Sequence, residues 1–110
     1  MGNMEIIRNA VEKFYDRNAR YSLPMEILRN PESCEHVISI GTSIMAHYWG
    51  VINYSPGSFV KNFLANDLEA TIASADDVNI HALQFFAKLK YNTPKPNLGL
   101  NLESNENNQK

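Results

Sequence analysis

One cysteine, Cys34, stands in the 110-residue sequence, so no disulfide within the chain can staple the fold and stability has to come from a packed core. No apolar run approaches the ~18 residues that a membrane-spanning helix requires. Nothing resembles a secretory signal peptide, and the expected setting is cytoplasmic. An excess of charge of one sign is missing too. Ten basic and twelve acidic residues leave a net charge of −2, which supplies neither a broad phosphate-neutralising field nor the dense acidity of a nucleic-acid mimic. Glycine is sparse, with five in the chain. The stretch Ser55-Pro56-Gly57-Ser58-Phe59 is not followed by Gly-Lys-Ser/Thr, so it is no phosphate-binding loop. The serines lack the glycine pattern of a nucleophile elbow, and there is no internal repeat.

What is present is ordinary globular material. Hydrophobic residues make up 44% and charged residues 20%, and the length suits one core. The spacing predicts an all-α domain over residues 1–92, a small bundle of four main helices at about 3–19, 31–49, 56–73 and 75–91, with a short helical turn near 24–29. In the first helix Ile6, Ile7, Ala10, Val11, Phe14 and Tyr15 recur at three- and four-residue steps. Arg8 with Glu12 and Asp16 with Arg20 form i,i+4 pairs on its outer face. Asn30 is placed to cap the second helix, Pro31 to open it and Gly50 to end it. Gly41 lies on that helix's apolar stripe, which suggests a close neighbour. Ser55-Pro56 reads as the cap and first turn of the third helix, which either runs on into Leu68 and Ile72 or kinks at Asn66-Asp67. Ser74 with Asp77 resembles a capping box for the fourth, whose buried face is Val78, Ala82, Phe85, Phe86 and Leu89. From Thr93 the composition turns to Asn, Pro and Gly, so residues 93–110 are expected to be a flexible polar tail. Leu98, Leu100 and Leu102 alternate within it and would suit a strand added to a partner's sheet.

Candidate chemistry is thin. His36, His47, His81 and Cys34 are the soft ligands, but His36 and His47 lie about 16 Å apart along one helix, and Cys34 and His36 point to different sides of it. No metal, cofactor or catalytic set is therefore assigned. Cys34 reads as a small core residue. Asp76 and Asp77 sit where a helix begins, where carboxylates stabilise unsatisfied amides.

Two groups of side chains are better suited to binding. Tyr48, Trp49, Tyr54 and Phe59 gather at the junction of the second and third helices, either closing the core or anchoring a partner surface, with Trp49 the most exposed of them. Lys13, Arg17 and Arg20 form a basic stripe on the first helix. That stripe is either solvated or a contact for phosphates or an acidic partner, and Lys88 and Lys90 could extend it.

The order of small motifs from Ser55 to Pro94 resembles a segment of small hypothetical proteins encoded by bacteriophages and prophages. Pro56, Gly57, Ser58 and Phe59 open it. Asn66, Asp67 and Leu68 follow, then Ala75, Asp76 and Asn79, then Ala82, Leu83, Tyr91, Asn92 and Pro94. After the proline those proteins often continue with Cys and Gly-Ser, whereas this chain has Lys95-Pro96-Asn97-Leu98-Gly99. The resemblance implies a phage or mobile-element setting, in the cytoplasm of a bacterial host, and no reaction. The expected role is a non-enzymatic accessory protein that binds a host or defence protein, through Tyr48, Trp49, Tyr54, Lys13, Arg17 and Arg20, with a homodimer possible. The alternative is a small nucleic-acid-binding protein using its basic helix face.

Overall fold

A computed structural model describes residues 2–99. These form seven helices in the order α1 (Asn3–Ser22), α2 (Met25–Leu28), α3 (Pro31–Tyr48), α4 (Ser58–Leu64), α5 (Leu68–Ser74), α6 (Asp77–His81) and α7 (Leu83–Asn92). The all-α class is as the periodicity predicts, and among the described residues there is no strand.

Three long helices carry the core. α1 runs antiparallel to α3: Tyr15 meets Cys34 near the start of α3, Val11 faces Gly41, and Asn3 lies with Trp49 at its end. α7 packs across both. Gly41 is the point of closest approach, because a Cβ there would stand 3.0 Å from Leu89 Cδ2 and 3.2 Å from Val11 Cγ1. The missing side chain lets α1 and α7 settle onto α3. Phe85 and Phe86 are adjacent, fully buried, and face different neighbours. Phe85 packs on Phe14 and Tyr15 of α1, while Phe86 packs on Phe59 and Phe63 of α4.

Helix ends follow capping chemistry, with corrections to the expected boundaries. Asn30 Oδ1 accepts from the N–H groups of Glu32 and Ser33, as an N-cap should. α3 ends in a Schellman turn: Gly50, at φ 74°, donates to His47 O, and Val51 donates to Ala46 O. The third predicted helix divides in two. Asn66 adopts φ 61°, its N–H bonds Phe63 O and that of Asp67 bonds Asn62 O, which is the same turn with asparagine in glycine's place. Asp67 then caps α5 by accepting from the Ala70 N–H. Nor does that region begin at Pro56, since Gly57 is the extended N-cap and Ser58 the first helical residue.

The fourth predicted helix also divides. Ala82 leaves helical geometry at φ −110°, ψ 8°, and its N–H bonds back only three residues, to Asn79 O. The expected Ser74 cap is corrected. Ser74 is the last residue of α5, its hydroxyl donating to Ala70 O at 2.7 Å, and Asp76 caps α6 by accepting from Val78 and Asn79.

The described part of the expected tail, residues 93–99, has contacts with the helical body. Leu98 packs against the core and the Gly99 N–H donates to Asn3 Oδ1 at 2.9 Å. Chain from 93 to 99 therefore folds back along the start of α1. The rest of that expectation, including Leu100 and Leu102, lies outside the described residues.

Candidate functional site

The start of α1, the ends of α3 and α7, and the non-helical stretches 51–57 and 93–99 meet at one end of the molecule. Between the stretches runs a groove of about 740 Å³, lined by Asn3, Trp49 to Tyr54 and Lys95 to Gly99. The Schellman turn at Gly50 ends α3; Val51 and Ile52 then pack against the core, and Tyr54 reaches the surface. Tyr48 is 50% exposed, Tyr54 69% and, on the last turn of α7, Tyr91 90%. Lys90 Nζ stands 4.4 Å from the centre of the Tyr48 ring, a cation–π geometry. Tyr54 meets the His47 ring edge to face at 5.6 Å.

Charge is segregated in a way that the net −2 conceals. Residues 36–66 and 78–99 contain Lys61, Lys88, Lys90 and Lys95 and no Asp or Glu. The other described stretches carry ten acidic residues against five basic ones. Among the described residues at the tyrosine end, the first turn of α1 contributes the one carboxylate, Glu5.

The six residues predicted to bind a partner do not form one site. Tyr48 and Tyr54 lie exposed at the groove end, whereas Trp49 is half-buried and packed on the core. That corrects the expectation that Trp49 is the most exposed of the cluster: as the C-cap of α3 it bonds Met45 O through its N–H and is held at the helix end. Phe59 belongs to the core. Lys13, Arg17 and Arg20 are exposed along the second half of α1, toward the opposite end. Seventeen residues at ~1.5 Å each put Arg20 about 25 Å from Asn3 along the helix axis, and Lys90 is engaged on Tyr48. The single basic stripe that would join α1 to Lys88 and Lys90 is thus not formed. Arg8 bonds Glu12 at 3.0 Å and Glu35 at 2.7 Å, while Arg20 turns to the Tyr21 ring rather than to Asp16.

The opposite end holds two contacts that sequence spacing could not reveal. His36 Nε2 lies 3.0 Å from Asp76 Oδ2, across forty residues. Asp76 therefore caps α6 with one oxygen and ties it to α3 with the other. Ser33 lines the same shallow depression, but its N–H is held by Asn30 and no contact joins its hydroxyl to the imidazole. The arrangement clamps two helices and presents no activated nucleophile. Cys34 is half-buried and hydrogen-bonded rather than a plain core filler. Its thiol accepts from Tyr15 Oη at 2.9 Å and faces Ile27 O at 3.3 Å. Burial, then the bond to Cys34, raises the Tyr15 phenol well above its ordinary value.

Among the described residues no three His, Cys, Asp or Glu side chains come together to hold a metal ion, and no helix is long and apolar enough to cross a membrane. Comparison of the chain with protein-family models, with curated proteins and with solved structures finds no match.

Proposed function

We propose that this chain is a non-enzymatic accessory protein of a phage or mobile element, acting by binding a host or defence protein with its tyrosine end as the contact surface. One observation carries the reading: Tyr48, Tyr54 and Tyr91 are each exposed toward the end where, among the described residues, lysines gather and carboxylates are scarce. Tyrosine supplies large, rigid, amphipathic contact area at small entropic cost and is enriched among the residues that dominate interfaces. The phage setting rests on the order of motifs between Ser55 and Pro94.

The test is capture from bacterial lysate by the immobilised chain and by a Tyr48→Ser/Tyr54→Ser/Tyr91→Ser variant whose helicity matches it. A host protein held by the wild type and lost by the variant supports the reading. Equal retention by both sinks the surface, and no retained protein at any salt sinks the role. Self-association through the same tyrosines would appear in light scattering as a dimer that the variant abolishes.

Nucleic-acid binding is the second reading, favoured by the lysines among those tyrosines, since stacking platforms beside cationic grooves take single strands. It predicts a mobility shift with an oligonucleotide that weakens steeply with salt.

A further inference from the structure

We propose that the groove between residues 50–54 and 95–99 takes an extended, acidic peptide segment of the partner. This rests on reading the tyrosine end as a protein contact and names the chemistry of what it contacts.

Three features of the groove select that occupant. Its size falls within the ~300–1,000 Å³ of ordinary ligand sites. Both walls are chain outside the helices, and the N–H groups of Ile52, Asn53, Tyr54, Lys95, Asn97 and Leu98 make no hydrogen bond within the described residues. An extended peptide can pair its own backbone with such groups, as strands do when they add to an open edge. The charge supplies the rest. Lys95 lines the groove, Lys90 stands over the adjoining Tyr48, and the described stretches that build the end, Glu5 apart, hold no Asp or Glu. Carboxylates of an incoming segment meet lysines with few competing acids, whereas a neutral or basic segment gains nothing from them.

The same facts weigh against a polynucleotide. A strand long enough to leave the groove end and the acid-free stretches would meet the described remainder, where ten acidic residues stand against five basic ones. A short peptide ends before it reaches them.

Trp49 lines the groove and is the one tryptophan of the chain, so its fluorescence reports occupancy. The full chain is titrated with a short peptide alternating Glu and Val, with the same peptide carrying Gln for Glu, and with oligothymidylate. The Glu peptide is expected to give a saturable change, and the Gln peptide to bind at least about tenfold more weakly, a difference that shrinks as salt screens it. Lys95→Glu, at an exposed position, and Lys90→Glu with Lys95→Glu should each lower affinity for the Glu peptide, with helicity unchanged by circular dichroism. Equal binding of the Gln peptide overturns the proposal, and so does tighter binding of oligothymidylate. A Glu peptide that leaves Trp49 unmoved, beside a captured host protein that still depends on the tyrosines, overturns this inference and leaves the protein-contact reading standing. Capture that ignores the tyrosines removes that reading itself.

Discussion

Where α1 ends and α3 begins, polar side chains close on one another. Tyr15 donates to Cys34, Asn30 caps α3, and Asp76 both caps α6 and reaches His36. Where α1 begins and α3 ends, Tyr54 and Tyr91 are exposed and two stretches outside the helices leave backbone donors unused among the described residues. The first end spends its polar groups on the fold. The second keeps them available, and that contrast is the physical basis for placing recognition there. Substitutions at the closed end should therefore move stability, and those at the open end should move binding.

The largest effect belongs to the interior that holds both ends in place. Phe86 is fully buried among Phe59, Phe63 and Phe85, and Phe86→Ala is expected to cost about 3–5 kcal/mol in urea unfolding, as buried phenylalanine truncations do. A cost near 1 kcal/mol would mean that α4 is not anchored on α7, and the groove end would lose its support.

At the closed end, Asp76→Ala removes an acceptor for two amides and the link to His36. The expected loss is about 1–2 kcal/mol, mostly from the cap, because a solvent-exposed side-chain contact such as that with His36 contributes little. Asp76→Asn retains the cap and should recover most of it. Failure of asparagine to do so would assign the weight to His36 instead.

Tyr15→Phe sharpens the same end through pH. Removing the bond to Cys34 should cost about 1 kcal/mol at neutral pH. In the folded chain burial and that bond raise the Tyr15 phenol above the unfolded value of about 10, so at alkaline pH the folded state keeps a proton that the unfolded state has lost. The contribution is fully present below pH ~10 and is lost as pH rises further. Unfolding midpoints measured from pH 8 upward should fall more steeply for the wild type than for Tyr15→Phe. Parallel curves would show that the phenol is not held neutral by the fold.

How much of this was legible beforehand depends on the range of the interaction. The Asn30 cap, the stop at Gly50 and the Gly41 contact follow from local chemistry and apolar spacing, and the structure has all three. Asn66-Asp67 was ambiguous because asparagine is tolerated both inside a helix and in the left-handed turn that ends one. The break at Ala82 had no local signal at all, since alanine is the best helix former. Ala82 is completely buried at the break. His36 with Asp76, and Asn3 with Gly99, join residues far apart in sequence, beyond any periodicity. The acid-free stretches were readable in the sequence, but that α7 packs on α3 and sets Lys90 over Tyr48 was not.

The smallest expected effect on stability tests the contrast most directly. Tyr91 is 90% exposed and Tyr54 69%, so neither loses much contact area when Tyr54→Ser/Tyr91→Ser is made, and the change in unfolding free energy should stay within about 0.5 kcal/mol per site. His47 loses one edge contact with Tyr54, worth a fraction of that when half-exposed. If the double variant instead unfolds with a loss comparable to Asp76→Ala, the open end is structural and the two ends do not divide the work between folding and recognition. If it keeps wild-type stability and loses the captured partner, the tyrosines are maintained at the surface for what they touch outside the chain.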